Sequence, residues 1–182
     1  MKIVPINAST LPVYRSELAA LLLDAVKGGA SIGYTEDITP EEAASYFHGL
    51  RPALAKGDLL LWIARDESGV TGCVQLELCQ KPNGRNRAEV QKLLVHSQAR
   101  RKGIGRTLMK TVENTALQQQ RGLLYLDTQA GSVAESLYRA MGYHCLGELP
   151  DYAATPDGYY HPTVIYYKRL FAVNPASRSL AS

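Results

Sequence analysis

Val95-His96-Ser97-Gln98-Ala99-Arg100-Arg101-Lys102-Gly103-Ile104-Gly105-Arg106 carries the change of structure that sets the fold. The valine closes a β-like run, Ala88–Val95. From Gly103 the apolar period changes, and Ile104, Leu108, Val112, Ala116 and Leu117 line one helix face. The local order is strand, tight basic turn, glycine pair, helix. Glycine lets the backbone bend sharply and approach a ligand, and the first turn of a helix leaves its N–H groups free. With the helix dipole, those amides make an anion site suited to a pyrophosphate. Arg100, Arg101, Lys102 and Arg106 add charge around it, and arginine binds phosphate oxygens in a fork. Two other phosphate motifs fail. A dinucleotide fingerprint needs a third glycine where Leu108 stands, and the P-loop-like spacing of Gly28–Thr35 has Tyr34 where its lysine belongs. On glycines and charges alone, a generic strand-to-helix turn with a solvated basic face fits equally well.

Outward from the turn, Leu59–Ala64 and Gly72–Cys79 read as strands, and Lys81-Pro82-Asn83-Gly84 marks a hairpin joining the second to Ala88–Val95. Upstream, Lys2–Ile6 reads as a short strand. Tyr14, Leu18, Leu21, Leu22 and Ala25 form a helix face stopped by Gly28-Gly29. Thr39, Pro40 and Glu42 give an N-cap, a first-turn proline and a capping box. That helix turns Ala43, Phe47, Leu50 and Leu54 inward, and Pro52 kinks it or breaks it in two. Downstream, the helix from Ile104 stops at Gly122, and Leu123–Leu126 has the continuous apolarity of a central strand. Ser132 to Glu135 reads as a capping box opening a short helix through Met141. Tyr143–Leu146 and Thr163–Lys168 close the chain around a loop, Asp151–Pro162, rich in Tyr, Pro and Gly.

The 182 residues, 46% hydrophobic and 20% charged, describe one ordinary globular domain large enough to bury a core without staples. A net charge of +3 is too small to suggest an extended nucleic-acid surface, so any basic cluster is judged locally. Cys73, Cys79 and Cys145 form no CxxC pair, and the four histidines show no ligand spacing, so no metal site is expected. Cys79 reads as an inert residue of a core strand, and His96 as packed or hydrogen-bonded at a strand end. No apolar run approaches the length of a membrane span, and a cytoplasmic protein is expected.

Arg100-x-x-Gly103-x-Gly105 after a strand ending in valine, and before an amphipathic helix, resembles the acetyl-coenzyme A signature of the GCN5-related N-acetyltransferase (GNAT) superfamily. Ala134-x-x-Leu137-Tyr138-x-x-x-Gly142-Tyr143 is similar to that family's second segment. The resemblance implies one α/β acetyltransferase domain over residues 1–171, with 172–182 a flexible tail. Its core would be a mixed, mostly antiparallel twisted sheet of about seven strands flanked by about four helices. Residues 78–84, 86–93, 124–135 and 154–158 resemble, more narrowly, acetyltransferases of the tabtoxin-resistance type, over a stretch from about Gly28 to the last strand. Those enzymes cap the amino group of a β-lactam amino-acid toxin, which implies acetyl-CoA and a small primary amine as partners.

Acetyl transfer needs a neutral amine. A lysine-like amine titrates roughly 3 units above neutral pH, so holding it uncharged costs about 4 kcal/mol, and a positioned carboxylate accepts that proton. Glu89, on the strand feeding the glycine turn, matches the base of related histone acetyltransferases. Asp127, ending the apolar run 123–126, is the second candidate. A pairing of Glu89 with Lys92 or Arg87, or a turn-capping Asp127, is the plain alternative. The resemblance makes Tyr138 the acid that protonates the departing thiolate. It also implies that the main chain of Leu93, Leu94 and Val95 holds the pantetheine arm and supplies the oxyanion donor. Residues 100–106 (Arg100, Arg101, Lys102, Gly103, Ile104, Gly105 and Arg106) would hold the pyrophosphate. Many members carry Asn three residues before the Ala134 position; here it is Gly131, with Ser132 or a water as substitute. Glu135 reads as the capping-box acid.

The loops Gly28–Tyr34, Lys81–Arg87 and Asp151–His161 would border the acceptor, with Tyr34, Asn83, Arg87, Tyr152 and Tyr159 shaping its pocket. The leading expectation is an N-acetyltransferase of a small amine, without an acyl-enzyme. A peptide or protein N-acetyltransferase and a non-catalytic acyl-CoA sensor are the alternatives. The presence of Glu89, Asp127 and Tyr138 counts against the sensor. Monomer and homodimer both stay open.

Overall fold

The computed structural model describes residues 1–174; residues 175–182, most of the expected tail, lie outside the described residues. Lys2–Ile6 forms β1 and Leu11–Lys27 forms α1. The helix begins a turn before Tyr14 because the Asn7 side chain accepts the amides of Ser9 and Thr10, and Pro12 fits the first turn. Pro40–His48 is α2, opened by the expected capping box: Thr39 Oγ1 accepts from the Glu42 amide at 3.1 Å. The helical run then breaks at Gly49-Leu50 and resumes as α3, Arg51–Lys56, with Pro52 in a first turn where its missing N–H costs nothing.

Seven strands form one sheet: β2 (Leu59–Asp66), β3 (Gly69–Leu78), β4 (Arg87–Val95), β5 (Leu123–Gln129), β6 (His144–Ala154) and β7 (Tyr160–Arg169) join β1 in the order β1-β2-β3-β4-β5-β7-β6. Among the described residues only β4–β5 is parallel. A single 3-10 turn, Ser97–Ala99, leads to α4 (Ile104–Gln118), and α5 spans Ala134–Ala140. One face of the sheet packs Val74, Leu76, Ala88, Val90 and Leu124 against Leu108, Met109, Val112 and Ala116 of α4. The other packs Leu61, Ile63, Cys73 and Leu94 against Leu18, Leu21 and Leu22 of α1 and Ala43 and Phe47 of α2. Burying each such aliphatic side chain contributes about 1.5–3 kcal/mol, so the layers hold the sheet from both sides. Gly72 lets β3 and α4 meet: a Cβ there would lie 2.9 Å from Leu94 O and from Ile104 Cγ2.

Several expectations change. The stretch 151–162 is mostly strand, the β6–β7 hairpin leaving only Thr155–Tyr159 as its turn. A register shift between Leu149 and Ala153, with Asp151 at φ 53, lets β6 pass Pro150, which cannot donate to the ladder. Helix α4 ends at Gln118 instead of running to Gly122, through Gln120 in the left-handed region. Cys79 lies just beyond β3 and is half-buried, not in the strand core.

The capping box at Ser132 does not form. The Glu135 carboxylate accepts from the Gly131 amide and from the buried Tyr166 hydroxyl, each at 2.6 Å, and the Ser132 hydroxyl instead bonds Thr128 Oγ1 at 3.1 Å. A buried tyrosine hydroxyl needs an acceptor more than an exposed helix start needs a cap. The acid reaches inward accordingly. No described helix is long and apolar enough to cross a membrane.

Candidate active site

The central feature is where two strands part. β4 and β5 pair only at Arg87–Leu123, Ala88–Leu124 and Glu89–Tyr125. Beyond Glu89 they diverge, so the backbone groups of β4 that face β5 have no ladder partner, and buried or half-buried peptide groups require one. Leu93, Leu94 and Val95 lie on this stretch, Leu94 buried opposite Cys73 and the other two packed toward the α4 side.

At the end of β4 the chain enters the basic turn. Arg101 and Gly103 take left-handed backbones (φ 64 and 76), and α4 starts without a side-chain cap, leaving the amides of Ile104, Gly105 and Arg106 without helical partners. Arg100, Arg101, Lys102 and Arg106 are exposed around them. Gly105 brings the turn against α5, since a Cβ there would meet Leu137 Cδ2 at 3.3 Å and Val95 Cγ2 at 3.8 Å. Asp24 of α1 anchors the turn. Its carboxylate accepts from the Ser97 amide at 2.8 Å and the Ser97 hydroxyl at 2.6 Å, and lies 3.6 Å from His96 Nε2. Burial would push this carboxyl up, but the two Ser97 bonds with the His96 and Arg100 charges hold it below the usual range. Asp24 went unnoticed in the sequence, where it only interrupts an apolar helix. His96 is hydrogen-bonded at a strand end as expected, its Nδ1 accepting from the Gln98 amide at 3.1 Å.

On the α2-facing side of the parting strands lies a polar cluster. Glu89 stands opposite Glu77 on β3 and Tyr125 on β5. Gln91 donates to Glu77 at 2.7 Å, and Gln75 donates to the Tyr46 hydroxyl at 3.0 Å. Burial raises the Glu89 carboxyl above its ordinary value; Glu77 and Asp127 add to that rise, and Gln91 and Lys92 oppose it. Neither Lys92 nor Arg87 forms an ion pair with Glu89 among the described residues. Asp127 is exposed and accepts from Thr163 Oγ1 at 2.9 Å. Its charge reaches both Glu89 and Tyr138. Tyr138 is buried on α5, with ring centroids 5.8 Å from Tyr143 and 6.0 Å from Tyr166. Its hydroxyl has no hydrogen-bond partner among the described residues, where no side-chain N or O atom is both fully buried and unsatisfied, so the tip reaches open space. Burial, and after it the Asp127 charge, push this phenol well above its usual range, which keeps it a proton donor at neutral pH.

The Asp127 charge thus acts on both Glu89 and Tyr138, and Tyr34 makes an edge-on contact with Tyr46 at 6.1 Å. Arg87 shares the face of Glu89 and lies beside Tyr125. Asn83, at the exposed hairpin tip, and Tyr152 and Tyr159, 53% and 69% exposed, are not joined to that group by any hydrogen bond or ring contact among the described residues. The loop 28–38 meets the β6–β7 hairpin through Ser31 Oγ to Ala154 O (3.1 Å) and the Glu36 amide to Pro156 O (3.2 Å). Beside that junction opens a cleft of about 710 Å3, bordered by Lys27, Glu36, Gln129, Asp157 and His161. Gln75, Glu77, Gln91 and Tyr46 were missed, and Lys92 was read only as an alternative partner of Glu89. The alternation of Gln75 with Glu77 and of Glu89 with Gln91 inside apolar strands is the signal that marks a polar face.

Residues 57–145 match the family model described as the acetyltransferase (GNAT) domain. That stretch, just under half of the chain, is similar to a GNAT acetyltransferase domain. The fold is shared with ribosomal-protein-alanine N-acetyltransferase from Brucella melitensis, at 23% identity and TM-score 0.73, over 93% of this chain and 100% of that one. It is shared with yncA from Salmonella typhimurium, solved with its cofactor acetyl-CoA, at 15% identity and TM-score 0.73, over 97% and 98%. It is shared also with aminoglycoside 6'-acetyltransferase type Ii, at 20% identity and TM-score 0.69, over 96% and 100%. The residues present fit the cosubstrate of a GNAT domain. Open amides and four exposed cations suit a pyrophosphate, and the unpaired edge of β4 suits an amide-bearing chain.

Proposed function

We propose that this chain acetylates the primary amine of a small molecule, an amino-acid-like toxin or antibiotic. Acetyl-CoA supplies the activated acetyl group. The turn 100–106 holds the pyrophosphate, the main chain of Leu93–Val95 holds the pantetheine, and the Thr128-bound Ser132 hydroxyl lies beside Gly131 on the α5 side. Asp127 receives the incoming ammonium. Glu89, whose burial raises its affinity for a proton, takes one from that ammonium to give the neutral amine, which attacks the thioester carbonyl carbon; once the C–N bond has formed, the nitrogen gives its second proton to solvent. Tyr138 gives its proton to sulfur as the C–S bond breaks, and regains one from solvent.

The observation that carries this reading is the half-buried Glu89 and the donor Tyr138 meeting the Asp127 charge where β4 and β5 part. The contact of loop 28–38 with the β6–β7 hairpin narrows the acceptor side, which favours a small acceptor over an extended peptide. Tyr34 and Arg87 line that side, with Asn83, Tyr152 and Tyr159 at its outer rim. The free thiols Cys73, Cys79 and Cys145 suit the reducing cytoplasm.

The test is CoA release from acetyl-CoA with amino acids, β-lactam amino acids, aminoglycosides, polyamines and short peptides. Release with a small amine, lost in Glu89→Gln and slowed in Asp127→Asn and Tyr138→Phe, is expected. Turnover restricted to peptides would sink the small-molecule reading.

A further inference from the structure

One cation on the acceptor face lacks the partner its surroundings call for. Lys92 occupies the extra position of a β4 bulge, between the pairs Gln75–Gln91 and Cys73–Leu94, with φ 50. That left-handed backbone breaks the alternation of the strand and turns the side chain toward α2, the side of Glu89 and Gln91. Its Nζ lies 5.4 Å from the centroid of the Tyr46 ring. The residue is only partly exposed, and the ammonium has no hydrogen-bond acceptor and no carboxylate at ion-pair distance among the described residues.

This setting is costly without a ligand. An ammonium has three N–H donors and no acceptor, and an aromatic face satisfies none of them as an anion does. Burial lowers its proton affinity, and Cys73, Asp127 and Glu89 oppose that fall. A lysine with so long a stem can turn to water when nothing requires it inside. Here the bulge and the Tyr46 ring hold it on the α2-facing side, within reach of the charges of Glu89 and Asp127, the carboxylates assigned to the acceptor amine. The other cation on this face, Arg87, lies beside the Tyr125 phenol.

We infer that Lys92 binds the carboxylate of the acceptor, making the substrate class zwitterionic amino acids and not simple amines. The inference rests on the acetyl-transfer reading of the same site. It gives the cleft two poles: Glu89 and Asp127 for the amine, Lys92 for the acid. Specificity then comes from a charge that must be paired, because an acceptor lacking the carboxylate leaves the ammonium half-buried and alone.

The test uses acceptor pairs that differ only in the carboxylate, L-lysine with cadaverine and L-ornithine with putrescine, with the full chain and acetyl-CoA. The quantity read is the ratio of kcat/KM for acid over amine. It should exceed one in the wild type, fall about tenfold in Lys92→Met mainly through KM, and recover in Lys92→Arg, since a charged hydrogen bond contributes about 1.5–3 kcal/mol. An unchanged ratio in Lys92→Met, or an equal loss with both members of a pair, overturns the inference; the second result would assign Lys92 to the reacting centre or to folding. Should neither pair turn over, calorimetry on the CoA-saturated protein compares Nε-acetyl-L-lysine with N-acetylcadaverine. Tighter binding of the acid, lost in Lys92→Met, supports the inference, and equal or no binding overturns it. Absence of CoA release with every amine of the wider panel counts instead against acetyl transfer itself.

Discussion

Replacing Glu135 by alanine tests whether this acid belongs to the core or to a helix start. Glu135 and Tyr166 are 8% and 0% exposed, and their 2.6 Å bond is accompanied by a second 2.6 Å bond from the Gly131 amide. A hydrogen bond to a charged group contributes about 1.5–3 kcal/mol, and a buried donor left unsatisfied costs about 1–3 kcal/mol. Gly131 is exposed and can turn to water, so its loss adds little. Glu135→Ala should therefore cost about 3 kcal/mol, against about 1 kcal/mol for a solvent-facing cap. In urea, with a slope of about 2 kcal/mol/M, the midpoint should fall by about 1.5 M. Tyr166→Phe removes the donor while sparing the acid, and should cost less. Combining it with Glu135→Leu leaves no orphaned group, and the cycle should show a coupling of about 1.5 kcal/mol or more. A cost near 1 kcal/mol with no coupling would refute the inward role. The pH dependence follows the same contact. The Tyr166 bond, with the Gly131 bond and Arg139, holds the carboxyl below the ordinary 4.5 against the opposing effect of burial. Its stabilisation is thus complete above about 4.5 and is lost as pH falls through the lower folded value.

Gly103→Ala meets no neighbour within 4 Å but forces a Cβ into the left-handed region at φ 76, so stability should drop by about 1–2 kcal/mol and acetyl-CoA binding should weaken, with Gly103→Asn milder on both counts in denaturation and calorimetry. The raised Glu89 carboxyl should place the acid limb of kcat/KM above the normal glutamate range, activity falling as pH drops through it; a limb that survives unchanged in Glu89→Gln would assign the base elsewhere. Asp24→Asn keeps the side chain's shape but removes the charge beside His96 and Arg100, and should raise the KM for acetyl-CoA several-fold with little change in kcat, measured at saturating acceptor.

The glycine turn, the capping box at Thr39 and the β3–β4 hairpin were legible because each is a local pattern with one dominant physical cause. The sheet's seven strands followed from their apolar runs and from the resemblance carried by the two motifs. Contacts across the chain were not legible. Asp24 meets Ser97 from 73 residues away, and Tyr166 claims Glu135 from 31, so the sequence around Ser132 could show a cap but not the buried hydroxyl competing for it. The Asp151–Pro162 stretch looked like a loop because its prolines and glycine are turn formers; strand pairing absorbs all but its tip. Lys92 was read only as an alternative partner of Glu89, because the bulge reverses the side to which a strand residue points and alternation alone puts it on the other face.

The three-pair seam between β4 and β5 divides the sheet into two leaves, one of four strands and one of three, bound along a short spine. In the proposed binding mode, a ligand laid along the open margin would supply rungs that the chain itself omits. The donor molecule then acts as a removable structural member: the amides of β4 beyond Glu89 should exchange with deuterium readily in the free protein and slowly when acetyl-CoA is bound. The two leaves would also gain shared mechanical stiffness with each binding event and lose it with each release of CoA.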